Sequence, residues 1–249
     1  MNRKDFMTGA AATSVLMAGC QSVTENRQTK KWQNGASRWP ICLDTATLSK
    51  DLSLEEKVEL AANAGFDAIE PWDRELKNHE DQGKSLSDLK NKITDLGMFV
   101  PSVIGMWGAL APEKSVFNKE IEAHKNRMRM VSALGAKHIQ VIPKFDRKET
   151  LDHDTAAWAY GKVCELAKEY HLEPAVIFLN FVNGLGKMSD AANIARKSGT
   201  AKPQIIPDTY HMFLGNSPAH ELKSYDKDFI AIFQFADAGP DVNLLVLKV

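Results

Sequence analysis

Seven polar side chains stand at or just after the ends of short apolar runs: Asp44, Glu70, Lys144, Asp208, His211, Gln234 and Asp237. Carboxylates, an imidazole, an amine and an amide are the groups that hold a polar small molecule or move a proton on it. Each also has a plainer use. Asp208 suits a cap on the turn that follows it, and His211 suits a half-buried core position. Glu70, directly before Pro71, suits a solvated loop. Gln234 lies between Phe233 and Phe235, and strand alternation turns it away from both, toward an interior or a site. Trp72 and Trp107 also follow apolar runs, where an indole stacks on a sugar ring or packs.

Composition narrows the partners. The 249 residues are 44% hydrophobic, enough to bury a full core. Lys and Arg number 31 against 32 Asp and Glu, so the chain lacks the basic excess that phosphate backbones require and nucleic acid is not expected as a partner. Cys20, Cys42 and Cys164 form no CxxC pair, which excludes a thiolate metal site and a disulfide framework. Cys42 and Cys164 read as small buried hydrophobes. His79, His124, His153, His171 and His220 fall in helices or loops and read as surface residues.

The elements that must position the polar residues alternate in type. Apolar β-type runs at Trp39–Leu43, Phe66–Glu70, Phe99–Ile104, His138–Pro143, Ala175–Val182, Gln204–Pro207 and Ile230–Phe235 read as strands. Between them fall helical patterns: one capped by Ser53-Leu54-Glu55-Glu56 and ended at Gly65, then Leu86–Leu96 closed by Gly97. Ile121 to Leu134 follows, stopped by Gly135, and then Ala156–Tyr170 and Ser189–Lys197. No nucleotide fingerprint follows any strand, and Gly184-Leu185-Gly186-Lys187 lacks the earlier glycine of a phosphate-binding loop. This rhythm is α/β, of the (β/α)8 TIM-barrel type, and about one unit short, since closing the barrel would take roughly 40 more residues. The apolar run Leu244-Leu245-Val246-Leu247 is a candidate substitute strand.

The N-terminus reads as a targeting segment. Arg3 and Lys4 precede a weakly apolar stretch, Ala10 to Ala18, about half the length of a membrane-spanning helix. Leu16-Met17-Ala18-Gly19-Cys20 resembles a bacterial lipobox, which implies cleavage before Cys20 and its lipidation. Arg3-Lys4-Asp5-Phe6-Met7 is similar to a twin-arginine signal with lysine in the second place. The expected organisation is a lipoprotein signal over residues 1–19, a polar tether over 20–37 and the barrel over 38–249. The expected location is the periplasm, with the membrane touched only through the lipid anchor.

In a (β/α)8 barrel the chemistry sits at the C-terminal strand ends. There, Pro207-Asp208-Thr209-Tyr210-His211, the run Ile232-Phe233-Gln234-Phe235-Ala236-Asp237 and Phe66-Asp67-Ala68-Ile69-Glu70 together resemble the xylose isomerase-like barrel family of sugar isomerases and epimerases. The resemblance spans Trp39 to Asp237. It implies a divalent metal, Mn, Mg, Co or Zn, that polarises a sugar carbonyl while paired glutamates move a proton through an enediolate. Asp208 then matches a metal-ligating aspartate, and Gln234 stands where a histidine or glutamine ligand is found. His211 matches a histidine on substrate oxygen and Glu70 an acidic residue facing the substrate, so Glu70 and His211 carry the implied catalysis. Trp72, Trp107, Lys144 and Asp237 would line the site for a small carbohydrate.

The chain departs from the family at Ile177, where a glutamate is expected, and in the eighth strand, which would supply the second glutamate. Those departures keep two other readings open: a carbohydrate-binding or vestigial barrel without catalysis, and a lyase or hydratase acting on keto-glycosides.

Overall fold

The computed structural model describes residues 32–143 and 150–237. Contacts divide the chain into Met1–Lys30 and Lys31–Val249, and every described residue falls in the second unit. The expected signal, most of the tether, Cys20, Lys144 and the run Leu244 to Leu247 lie outside the described residues.

The strands are β1 (Cys42–Asp44), β2 (Ala68–Glu70), β3 (Ser102–Val103), β4 (Trp107–Leu110), β5 (His138–Pro143), β6 (Glu173–Ile177) and β7 (Ile205–Ile206). Every strand pairing is parallel. β1 pairs with β2, a bridge from Ala68 to Phe99 carries the order to β3, and β3, β5, β6 and β7 follow in turn. Ile205–Ile230 and Asp208–Gln234 bridges add the segment 230–234 beside β7. The result is an arc of strand positions in barrel order. Both faces of β5 are buried, as the continuous apolar run at its sequence requires for a parallel sheet.

β3 and β4 both pair with β5, at Val103–Ile139 and Trp107–Ile142. They are two halves of one barrel strand, broken by an extra residue in the stretch Ile104 to Met106. Met106 is fully buried with φ 56°, a left-handed conformation that costs a non-glycine residue about 1–2 kcal/mol. The break follows the Trp72–Ile104 bridge and re-aims the chain so that Trp107 comes beside Trp72.

Helices cover the outside of the arc: α1 (Leu54–Asn63), α2 (Asp73–Asp81), α3 (Leu86–Asp95), α4 (Lys114–Lys119), α5 (Ile121–Leu134), α6 (His153–Ala167), α7 (Met188–Lys197) and α8 (Thr209–Leu214). The α1 capping box forms as its sequence requires: the Ser53 side chain accepts from the Glu56 N–H, and Glu56 reaches back to the Ser53 N–H at 2.7 Å. Gly135 ends α5 at φ 84°, and a Cβ there would sit 2.7 Å from Lys90 Cε. Leu54, Val58 and Ala61 of α1, Met128, Val131 and Leu134 of α5 and Ala191, Ile194 and Ala195 of α7 turn one stripe each to the core. No helix among the described residues is long and apolar enough to cross a membrane.

Several expectations are corrected. The first strand begins at Cys42 rather than Trp39, which is 76% exposed. The fifth barrel strand stops at Ile177, because Leu179 to Val182 close a turn with the Val182 N–H on Leu179 O. The segment from Ile230 to Phe235 pairs at two bridges only. α2 lies in a stretch whose polarity hides its period, and α4 and α8, six residues each, are too short to show one. His79 and His124 are buried rather than on the surface: His79 Nε2 lies 3.3 Å from Ser85 O, and the His124 ring sits 5.4 Å from that of Phe117. Cys42 is exposed on the β1 edge, whereas Cys164 is buried as expected.

Candidate functional site

Glu70 closes β2, and Asp44 closes β1 as its register partner. Partners in register project to the same face of a parallel ladder. That face is the barrel interior, because Glu70 Oε1 accepts from Gln140 Nε2 on β5 and Glu70 Oε2 from Gln234 Nε2, each at 2.8 Å. Three barrel positions far apart in sequence meet on this one carboxylate. It is 4% exposed, and burial lifts it to about 7, opposed by the two amide donors and reinforced by the charge of Asp44. Burial also raises Asp44 from its ordinary range, while the Ala46 N–H and the Trp72 indole pull it down. Both donors fall on Asp44 Oδ1, at 2.8 and 3.0 Å.

Trp72 is fixed from several sides. Its backbone N–H donates to Glu75 Oε2 at 2.9 Å, and the buried Lys57 ammonium bonds Glu75 Oε1 at 2.7 Å. Its ring stacks on Trp107, centroids 5.5 Å apart and planes 18° apart, and Arg74 lies 4.1 Å from its centroid. Trp107 donates its indole N–H to Asp73 Oδ1 at 3.2 Å, and Arg127 holds Asp73 Oδ2 at 3.0 Å. The expected sugar-stacking wall is thus an indole pair whose N–H groups serve two carboxylates.

A second cluster forms at β7. Asp208 caps α8, its Oδ1 accepting the His211 N–H at 3.1 Å, so the plain role read in its sequence is fulfilled. His211 Nδ1 lies 2.7 Å from Asn180 Oδ1 and 3.4 Å from the Asn180 backbone N, so Asn180 fixes the orientation of the ring. Burial holds the His211 imidazole below its ordinary range, with Phe178, Phe181 and Tyr210 rings around it. Gln234 joins the two clusters: its backbone bridges to Asp208 while its side chain reaches Glu70. Asp237 is exposed just beyond it.

The structure therefore brings Glu70, Gln234, Asp208 and His211 to one end of the barrel and places Trp72 and Trp107 beside the first two strands. Gln140 is not marked by the sequence reading, and Asn180, which stands near Ile177 as a candidate replacement for the missing glutamate, is not marked there as the partner of His211. A lone amide inside the apolar run His138–Pro143 was the available signal for Gln140, and nothing local marked Asn180 as the partner of His211.

A divalent metal does not fit the donors described. No three His, Cys, Asp or Glu side chains converge among the described residues. Ile177, in the position expected to carry a glutamate, is buried and apolar. Gln234 turns its amide N–H toward Glu70, and Asp208 spends an oxygen on its own helix.

The model of the xylose isomerase-like TIM barrel family matches residues 58–243. The chain belongs to that family. No curated protein matches it by sequence. Among solved structures, a fusion of a xylose isomerase-like TIM barrel with 4-hydroxyphenylpyruvate dioxygenase aligns with a TM-score of 0.72 at 19% identity. That alignment covers 80% of this chain and 31% of the fusion protein. The IolI protein with a bound zinc atom aligns at 0.69 and 19% identity, covering 80% of this chain and 73% of that one. A D-psicose 3-epimerase solved with D-fructose aligns at 0.69 and 13% identity over the same shares of the two chains. At these identities the structures establish the fold alone.

Proposed function

We propose that this member of the family takes a small aldo- or keto-sugar at the C-terminal strand ends and transfers a proton on it through an enediol, as a sugar isomerase or epimerase does. The observation that carries the reading is the Glu70 carboxyl, buried inside the arc and held on both oxygens by Gln140 and Gln234. Buried carboxyls poised near neutrality suit general acid–base work, because they give and take a proton at working pH. His211 supplies an imidazole for a sugar hydroxyl, its orientation set by Asn180. No step is assigned to a metal.

Titration calorimetry of the full chain against a panel of pentoses, hexoses and their ketoses tests the first half of this reading. Incubating the bound sugar in D2O tests the second. Binding with deuterium entering a carbon-bound position supports the proposal, and absence of binding to every sugar overturns it. Binding without exchange favours the second reading, a carbohydrate-binding barrel, which rests on Ile177 replacing a proton-transfer carboxylate.

We further propose export and lipid anchoring at Cys20, supported by the lipobox-like run Leu16 to Cys20. Cys20→Ala should move the protein from the membrane fraction to the soluble one and abolish labelling by a radioactive fatty acid. Unchanged labelling would disprove the anchor.

A further inference from the structure

We infer that the N-terminal face of the barrel, around Trp39, Ile41 and Phe99, rests against a lipid bilayer, so that the strand ends carrying Glu70 and Asp208 open away from the membrane. The inference rests on the anchoring at Cys20 proposed above and names the surface that the anchored chain turns to the lipid.

That face is assembled where the first three strand positions start. Ile41, Asp67 and Phe99 meet there side by side: the Asp67 N–H donates to Ile41 O at 3.0 Å, and the Phe99 N–H donates to Asp67 O at 3.3 Å. Asp67 Oδ2 also accepts the Ile41 N–H at 2.9 Å. A short strap lies across them. Residues 32–37 close on themselves through paired backbone bonds between Trp32 and Ser37, each 3.1 Å. The Gln33 amide donates to Gly65 O and to Asp67 Oδ2, both at 2.8 Å, and the Trp32 ring sits 5.6 Å from that of Phe99. Ser37 Oγ donates to Trp39 O at 2.7 Å and accepts the Trp39 N–H at 3.0 Å, which ties Trp39 to the strap.

Exposed apolar side chains gather at this end. Trp39, Ile41 and Phe99 precede strands, Leu60 lies in the last turn of α1, and Leu96 closes α3. Strand starts and helix ends share one end of a (β/α)8 barrel. Phe213 and Phe235, the other exposed large apolar residues among those described, follow β7 and the segment 230–234 and so stand at the opposite end.

Three arguments select lipid as what covers the face. An exposed tryptophan among aliphatic side chains suits the headgroup boundary of a bilayer, where the ring is buried and the N–H stays wet. Charge agrees: residues 21–38 carry Arg27, Lys30, Lys31 and Arg38 against Glu25, a positive surplus that anionic headgroups attract. Chain length agrees too. Eleven residues separate Cys20 from Trp32. A lipid on Cys20 therefore holds the strap within about 40 Å of the bilayer at full extension, and within roughly 20 Å for a flexible chain. Because the strap is fixed to the N-terminal face, that face is the one delivered to the membrane.

The test mixes the full chain with vesicles of phosphatidylethanolamine and phosphatidylglycerol, with and without bromine near the headgroup end of the acyl chains, and follows flotation and tryptophan fluorescence. The inference expects the floated chain to be quenched by the brominated lipid. Trp39→Phe should lose most of that quenching, whereas Trp158→Phe, in the first half of α6 toward the other end, should keep it. Ile41→Ser, which retains every tryptophan, should weaken quenching in the same assay and so decides the matter if Trp39→Phe fails to fold. A chain that floats without quenching, because it stands off the bilayer or because a second copy covers this face, overturns the inference. Quenching that survives both Trp39→Phe and Ile41→Ser undiminished overturns it as well, and so does a chain that does not float. Fatty-acid labelling at Cys20 decides the anchoring reading separately, so either can fail alone.

Discussion

Glu70 shows how a short run of side-chain contacts sets the properties of one group. Water is withheld from its carboxyl, which raises it to about 7, and the amides of Gln140 and Gln234 limit the rise by bonding the charged form. Removing one donor should expose the imbalance. In Gln140→Leu the buried Oε1 loses its partner, at a cost of about 1–3 kcal/mol where the group is charged. A group whose carboxyl is raised on folding contributes stability below its unfolded value, 4.5, and loses it as pH rises toward 7. The deficit of Gln140→Leu relative to wild type should therefore be larger at pH 8 than at pH 4.5 in urea denaturation. An equal deficit at both values would show that Glu70 does not ionise in this environment.

Elements deliver these groups through their ends and breaks. The break at Ile104 to Met106 brings Trp107 to Trp72, and the early stop of β6 at Ile177 lets Asn180 reach His211. The loop after β6 is held against the start of α6: Leu151 N–H donates to Asn183 O at 2.8 Å, and His153 Nε2 lies 2.6 Å from Gly184 O. Gly184 has φ 82°, and a Cβ there would collide with Leu151 O. Gly184→Ala should cost about 2–4 kcal/mol through strain and backbone collision, lower the thermal midpoint, and loosen the His211–Asn180 contact made from the same loop. A midpoint within a degree of wild type would show that the loop yields at little cost. Gly65, also at positive φ but with nothing near its Cβ, serves as the control for strain without collision.

Taken over the whole chain, buried titrating groups pull stability in opposite directions. His124 and His138 are held neutral by burial and fall to about 4 each, and His211 is lowered as well. Histidines lowered on folding contribute stability above their unfolded value of 6.5, and it is lost as pH falls toward 4. Glu70 and Asp44, raised on folding, act with the opposite sign. The histidines outnumber them, so stability should rise between pH 5 and 6 by an amount on the order of 1 kcal/mol per pH unit. Replacing His124 and His138 together by leucine should flatten or reverse that slope, and an unchanged slope would remove these histidines from the account. Divalent metal gives a separate check. A ligand at 100 times its dissociation constant stabilises a fold by about 2.7 kcal/mol. Millimolar Mn, Mg, Co or Zn should leave the thermal midpoint of the full chain unchanged, whereas a rise that Asp208→Ala removes would mean that further residues complete a metal shell.

Much of this architecture was present in local pattern. The apolar run His138–Pro143 and the Ser53 to Glu56 capping box fixed their elements, since burial on both faces and an N-terminal cap depend on neighbouring residues only. The strand-end residues Glu70, Asp208, His211 and Gln234 were found in the same way, because a parallel barrel collects them at one end. The partners were not. Gln140 and Gln234 meet Glu70 from positions 70 and 164 residues away, and no spacing in the chain announces contacts closed by the curvature of the sheet. The burial of His79 and His124 was likewise settled by which helix face the barrel covers. Local sequence chose the residues and their strand ends, and packing around the interior chose which of them touch, because charge state and orientation depend on neighbours that the fold alone supplies.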